Sequence, residues 1–409
     1  MIKKLVDYIA FSGLTAGIGF FTVIYMTKHM PIEDFGVVGI FMAVLYVLPQ
    51  LISFSSVGLV SINKVKLQKK EFLLFSKSYF TFAMIVFSLV CLFSFLTSFF
   101  FSQYTLLFII VPLIAFIQYF SMFHNAELIQ DGKSRIFGSY RLILSIISLL
   151  LTMLFLTQFH LTWEGRAYAM LLSESVILLL SVYFSFTTLK NYKFSFDLDA
   201  YREYFYFGLP LLFGLGAGWL LNQADRFIVL HFFDLKSVGL YTLAYTIGTL
   251  LNIINQAATN TIIPYVYKEL ERKKGHIIIR KLNIYYSLSI VCFALIVGFS
   301  SFWYVPLLFE PLYSDAPKII LFISLGFSFN GIYRVTGSVI AFYKKNQLQA
   351  KILYASAILN IILSIIFIPF FGILSPAIGT FMAYILLATL SYSYGWKILQ
   401  QEEKYESNF

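Results

Sequence analysis

The chain has 409 residues, of which 59% are hydrophobic and only 12% charged. A soluble domain carries about 25% charged residues, so a water-soluble fold of this composition would lack polar surface. The net charge of +10 does not mark a nucleic-acid partner, because the cations sit in short loops between long apolar runs, where they set orientation and meet anionic lipid headgroups.

Twelve apolar runs read as membrane spans, at approximately 6–27, 36–62, 78–100, 104–123, 137–157, 167–188, 205–230, 239–266, 282–304, 317–342, 352–370 and 375–396. A helix needs about 20 apolar residues to cross a bilayer core. The run from Tyr79 to Phe101 does not alternate as a barrel strand would. The fold class is therefore an all-α polytopic membrane protein, with no room for a soluble domain. Met1-Ile2-Lys3-Lys4 precedes the first run without a convincing small-x-small cleavage site and a following polar domain, so that run is a retained span. Cys91 and Cys292 lie inside spans and behave as small hydrophobes.

The loops alternate in charge. One side holds Lys3 and Lys4, then Lys64, Lys66, Lys69, Lys70 and Lys77, then Lys133, Arg135 and Arg141. Lys190, Lys193 and Arg202 follow, then Lys268, Arg272, Lys273, Lys274, Arg280 and Lys281, then Lys344, Lys345 and Lys351, and finally Lys397 and Lys404. The other side holds only Lys28, Arg166, Lys236 and Lys318. The positive-inside rule puts the richer side, and both termini, in the cytoplasm.

The chain also repeats. DFGVVGIF at 34–41 opens the second span and SVGLYTLA at 237–244 opens the eighth, with Gly36 matching Gly239. Two halves of six spans share one orientation, a parallel repeat about an axis along the membrane normal. The expected lobes are 1–196 and 197–409. The first span carries Gly13 and Gly17 as G-x-x-x-G, and the seventh carries Gly214 and Gly218 with Gly216 between and Pro210 before. Glycine-rich segments at matching places point to the moving, gating part of a transporter; close packing through small residues is the other reading.

Enzyme motifs are incomplete. Gly132-Lys133-Ser134 ends like a P-loop, but the position five residues before Gly132 is Glu127, not the required glycine. Asp197-Leu198-Asp199 resembles a sugar-nucleotide D-x-D, yet it occupies a short linker and reads as a solvated acidic turn. His29, His124, His160, His231 and His276 share no metal spacing. No metal, cofactor or catalytic group is expected.

Charges within spans stand out, since each costs about 2.5–3.5 kcal/mol at the bilayer centre. Arg334 lies eight residues before Phe342, about 12 Å deep at 1.5 Å per residue. It suits a phosphate, which a guanidinium binds bidentately, or pairs with a carbonyl or buried acid. Asp225 and Arg226 are adjacent in the seventh span and point in different directions, so each needs its own partner. Asp225 is a candidate for a coupling ion or sugar hydroxyls, and Arg226 for phosphate or sugar; a structural network is the alternative for both. Glu174, beside Ser173 and Ser175 in the sixth span, is a second candidate ion carrier. Arg141, at the cytoplasmic end of the fifth span, either guides an anionic headgroup or serves only as a positive-inside residue.

Residues 224–248, ADRFIVLHFFDLKSVGLYTLAYTIG, resemble the seventh-to-eighth span region of Wzx-type O-antigen and polysaccharide flippases, of the multidrug/oligosaccharidyl-lipid/polysaccharide (MOP) exporter superfamily. Residues 371–384, FGILSPAIGTFMAY, resemble the start of that family's last span, and Gln130-Asp131-Gly132-Lys133 its fourth-to-fifth loop. The span count and repeat also agree. The resemblance implies a MATE-like fold, two six-helix lobes around a central cavity, in a bacterial cytoplasmic membrane. It implies flipping of an undecaprenyl-diphosphate-linked oligosaccharide by alternating access, with a coupling proton or sodium and other glycan-assembly proteins as partners. Related lipid II flippases cluster cations in their early spans. Here the first two spans hold only Lys28, at the outer end, which favours an oligosaccharide unit over lipid II as cargo. The rivals are a drug/cation antiporter of the same superfamily, disfavoured by the intramembrane arginines, and a membrane polymerase, disfavoured by short outer loops.

Overall fold

The computed structural model describes residues 2–184, 196–272 and 276–407. The expected cytoplasmic cations Lys190, Lys193, Lys273 and Lys274 lie outside the described residues. Every regular element among the described residues is helical. The helices are α1 (Ile2–His29), α2 (Ile32–Ile52), α3 (Val57–Lys66), α4 (Lys69–Ser98), α5 (Thr105–Gln130), α6 (Ser134–Thr157) and α7 (Trp163–Phe184). They continue as α8 (Leu198–Asn222), α9 (Ala224–Phe232), α10 (Leu235–Gly248), α11 (Leu251–Glu271), α12 (His276–Leu308), α13 (Ala316–Phe342), α14 (Asn346–Ile366) and α15 (Ser375–Ser407). Ten stretches among the described residues are long and apolar enough to cross a membrane. The 28-residue α1 and 22-residue α7 stand at the first and sixth places of the expected order and exceed the roughly 20 residues a bilayer requires.

Four expected spans are broken rather than continuous, the eleventh only near its end, at Phe367. The second splits at Phe54 and Ser55, both in the left-handed region with φ of 51°. The seventh splits at Gln223, whose φ and ψ of −130° and −24° leave the helical well. The eighth splits between Gly248 and Leu251. The second and eighth spans are counterparts in the repeat, and both are built from two helices. A second shared device closes α5 and α13. Gly132, with φ of 72°, ends α5, and Lys133 N–H donates to the Leu128 carbonyl at 2.9 Å. Lys344, with φ of 57°, ends α13, and Lys345 N–H donates to the Ile340 carbonyl at 3.1 Å. Both are 6→1 helix stops that satisfy an orphan carbonyl. Gly132-Lys133-Ser134 is thus a helix terminus, not a phosphate loop. Asp197 likewise accepts from Ala200 N–H at 3.1 Å and caps the start of α8. Asp234 caps α10, accepting from Ser237 N–H at 2.8 Å, and that bond holds its carboxyl below the usual carboxylate range.

The chain divides into two compact units, Met1–Gly216 and Ala217–Phe409. The sequence places the division at 196/197; the structure carries the first part of α8 with unit 1 for a packing reason. Tyr204 on α8 is 1% exposed and packs edge-on to Tyr79, with ring centroids 5.3 Å apart. Gly208 passes so close to the left-handed turn that a methyl group there would overlap the Phe54 carbonyl oxygen. Within unit 1, α5 packs on α2, α3, α4 and α7, while α6 packs on α1 and α7. Tyr79 donates to the Ser53 carbonyl at 3.0 Å, tying α4 to the break of the second span, where that carbonyl also accepts from Ser56 N–H at 3.0 Å.

Within unit 2, α13 is the central rod, flanked by α10, α11, α12 and α15. Its buried face is rich in small residues, among them Ser324, Gly326, Ser328, Gly331, Gly337 and Ser338, which admit close helix approach. At Gly331 a methyl group would meet the Tyr286 hydroxyl at 2.6 Å and overlap the Asn255 amide oxygen. The glycine makes room for the Tyr286–Asn255 hydrogen bond of 3.0 Å. Apolar residues such as Leu89 and Phe93 on α4 are exposed, as the surface of a fold embedded in lipid allows.

Candidate functional site

Unit 2 gathers its buried polar groups where the seventh span breaks. Interrupting the helix at Gln223 brings the last residue of α8, Asn222, and the first turn of α9, with Asp225 and Arg226, to one level. Asp225 is fully buried. Its Oδ2 accepts from the Tyr241 hydroxyl at 2.6 Å and the Thr380 hydroxyl at 2.8 Å. Its Oδ1 accepts from the Asn360 amide at 3.4 Å. The Asn360 amide oxygen in turn accepts from Ser364 at 3.2 Å and lies 3.4 Å from the Thr380 hydroxyl. Helices α9, α10, α14 and α15 therefore meet on a single carboxylate.

Arg226 turns away from this knot, as adjacent helix positions require. It is 6% exposed, donates to the Gln223 amide oxygen at 2.9 Å and the Asn222 carbonyl at 3.2 Å, and lies 4.4 Å from the centroid of the Tyr245 ring. These hydrogen-bond partners are neutral. Asn222 is held beside it by the Tyr384 hydroxyl at 2.8 Å and the Tyr245 hydroxyl at 3.4 Å. Arg226 thus stands inside a structural network, not on an open surface.

Arg334 lies elsewhere on the same unit. It is exposed on α13, and its Nε donates to Asn330, one turn earlier, at 3.0 Å. Among the described residues no carboxylate partners it; the nearby groups are the Tyr286 and Tyr333 hydroxyls. A buried path joins the two places. Phe327 packs on Tyr245 at 5.8 Å and on Tyr384 at 5.6 Å, and its carbonyl accepts from Asn255 at 2.8 Å. Asn255 then accepts from Tyr286.

In unit 1, Glu174 is 6% exposed and accepts from the Gln118 amide at 2.9 Å. Arg141 is exposed on α6. Among the described residues, no atom of another helix comes within 4 Å of where a Cβ would stand at Gly13, Gly17, Gly214, Gly216 or Gly218, so none of these glycines sits at a close helix crossing there. Pro210 lies inside α8 and removes a backbone donor there.

Sequence reasoning missed several groups. Arg166, counted as an outer-side cation, turns its guanidinium onto α6, donating to Ser148 at 2.8 Å and Thr152 at 2.9 Å. Its only signal was the Ser148/Thr152 pair at i, i+4 in an apolar run. Lys64, read as a loop cation, pairs with Glu127 at 3.1 Å and lies 3.8 Å from Asp131. Tyr241, Asn360, Ser364 and Thr380 are uncharged and gave no sign beyond polar residues inside spans.

These features define a multi-pass, all-helical membrane protein with the fold of MOP-superfamily transporters. The structure of the lipid II flippase MurJ in an inward closed conformation matches with a TM-score of 0.76 at 15% identity, covering 94% of this chain and 86% of that one. An inward-facing multidrug resistance MATE family transporter of the MOP superfamily matches at 0.69 and 16% identity, covering 97% and 96%. Residues 2–269 match the family described as polysaccharide biosynthesis protein, and the chain belongs to that family. An Lsg locus protein of Haemophilus influenzae is 35% identical over 113 residues, 27% of this chain and 28% of that protein. An uncharacterised membrane protein of Methanocaldococcus jannaschii is 23% identical over 199 residues, 48% and 39% of the two chains. The aligned stretches thus span well under half the length of these curated relatives.

Proposed function

We propose that the protein is a flippase for an undecaprenyl-diphosphate-linked oligosaccharide, an O-antigen or capsule repeat unit, moving it from the cytoplasmic to the outer leaflet of a bacterial inner membrane. Both termini face the cytoplasm, and no covalent chemistry is performed. The observation that carries this reading is Arg334. A guanidinium exposed on a membrane-spanning helix, steadied by Asn330 and without a described carboxylate partner, is costly unless it meets water or an anion. A diphosphate is the anion a flippase of this family must accept, and a guanidinium fork fits its oxygens. Arg226 positions the α8–α9 break from within, and Arg141 draws the headgroup toward the passage. The polyprenyl tail stays in lipid while the headgroup crosses.

Asp225 is the proposed coupling group, taking either a proton or a sodium ion. Its carboxylate, the Asn360 amide oxygen and the Ser364 and Thr380 hydroxyls form an all-oxygen set of the kind hard cations prefer. Glu174, with one described donor, is the second candidate carrier. The uncovered glycines Gly13, Gly17, Gly214, Gly216 and Gly218, with Pro210, are the proposed gating elements. Alternating access then follows from coupling-ion binding at the α8–α9 break.

The test is flipping in sealed proteoliposomes. A labelled polyprenyl-diphosphate oligosaccharide should become accessible from the opposite side, faster under an imposed sodium or proton gradient. Indifference to both gradients removes the coupling role of Asp225 and Glu174; failure to flip removes the function.

A further inference from the structure

The transport reading leaves unused a groove at one end of unit 2, where α12, α13 and α15 meet. It is small, shallow and open to the surroundings. Its floor is apolar: Ile279, Val339 and Leu399 are buried in one cluster, against which Trp396 packs. Gly395 keeps the floor clear. A Cβ there would already stand 3.4 Å from the Thr336 carbonyl and 3.7 Å from Val339, and any longer side chain would grow into the space.

Two polar features break the apolar lining. Arg280 lies on the rim, its guanidinium 5.7 Å from the centroid of the Trp396 ring. Asn283, on the same face of α12 three residues on, is 7% exposed, and its amide oxygen is buried with no hydrogen-bond partner among the described residues. Lys281 and Lys397, the chain neighbours of Arg280 and Trp396, are also exposed. The groove therefore combines an apolar floor, a tryptophan and an arginine at its mouth, and an acceptor that lacks a donor among the described residues.

We propose that this groove binds one anionic glycerophospholipid as a resident of the protein, separate from the transported cargo. The phosphate sits on Arg280, one acyl chain lies against Trp396 and Tyr392 at the mouth of the groove, and a headgroup hydroxyl donates to Asn283. Charge selects the class. A zwitterionic headgroup brings its own cation toward Arg280 on the rim, whereas basic pockets between helices at the cytoplasmic face suit anionic headgroups. Each lysine or arginine near an anionic surface contributes about 1 kcal/mol, so Arg280 alone should give about a five-fold preference.

Trp396 reports on the site directly. The chain has four tryptophans, Trp163, Trp219, Trp303 and Trp396. Replacing the first three with Phe leaves one probe in the groove. In phosphatidylcholine bilayers, added phosphatidylglycerol with brominated acyl chains should quench this probe at about five-fold lower mole fraction than brominated phosphatidylcholine. Arg280→Gln should abolish that difference. Equal quenching by the two lipids, or an unchanged preference in Arg280→Gln, overturns the proposal. Native mass spectrometry of the chain with all tryptophans intact makes the same comparison without replacing any: phosphatidylglycerol adducts should outlast phosphatidylcholine adducts, and Arg280→Gln should lose them. Displacement of the quencher by a long-chain polyprenyl phosphate but not by unlabelled phosphatidylglycerol would assign the groove to the cargo instead, and also overturns it.

Discussion

Asp225→Ala tests the polar knot of unit 2 in energetic terms. The carboxylate accepts from Tyr241, Thr380 and Asn360. Thr380 has a second acceptor in Asn360 at 3.4 Å, so truncation leaves two buried donors without a partner, at about 1–3 kcal/mol each. The variant also removes a buried charge, whose desolvation opposed folding, and this pulls the net toward the lower end. Interhelical hydrogen bonds in membrane proteins average about 0.6 kcal/mol, so three give about 2 kcal/mol from an independent direction. A net loss of about 2–3 kcal/mol is expected. For a unit of this size each kcal/mol shifts Tm by about 2–4 °C, so Asp225→Ala should melt roughly 5–10 °C below the wild type in detergent, followed by loss of monodispersity on heating. Asp225→Asn keeps one acceptor oxygen and should lose less than half as much. An Asp225→Ala protein that melts within about a degree of the wild type would mean that the four helices do not converge on this carboxylate.

Arg334→Ala should abolish glycan export while membrane abundance holds, and Arg334→Lys should retain part of it, since a point charge binds phosphate without the fork; normal glycan display in Arg334→Ala would take the residue off the headgroup path. Lys64→Ala leaves Glu127, 8% exposed, without its cation at 3.1 Å, and should cost about 1–3 kcal/mol, most of it recovered in Lys64→Ala/Glu127→Gln; a double variant no more stable than the single would show that the pair contributes nothing. Asp234→Ala should cost about 1 kcal/mol as a lost helix cap. Because the folded carboxyl is held below its ordinary value of 3.8, that contribution is present above the ordinary value and fades as pH falls through the lowered one; a wild-type advantage in thermal melts that does not shrink as the pH is lowered from neutral into the acid range would contradict it.

The fold was legible because a bilayer imposes run length. Stretches such as Lys69–Ser98 and Ala316–Phe342 are long and apolar whatever they pack against. Asp225 and Arg334 were legible for the converse reason, as charges inside such runs. Their surroundings were not. Asn360 and Thr380 lie 135 and 155 residues from Asp225, and a neutral amide or hydroxyl in an apolar run carries no mark of what it faces. The helix breaks were equally hidden: Phe54, Ser55 and Gln223 are not residues that announce a left-handed turn or an interruption. Counting charge by loop also cannot see a side chain that turns inward, which is why Arg166 was placed with the outer cations. The start of α8 groups with unit 1 because Tyr204 and Gly208 pack there, a contact no composition shift records.

The most direct measurement is the flipping assay with wild type and Arg334→Ala side by side in proteoliposomes. Wild-type vesicles should expose a labelled polyprenyl-diphosphate oligosaccharide to a membrane-impermeant quencher well beyond the share initially in the outer leaflet, and Arg334→Ala vesicles should not. Equal exposure in wild-type and protein-free vesicles would contradict the proposed function, and equal flipping by both proteins would contradict the role of Arg334 in it.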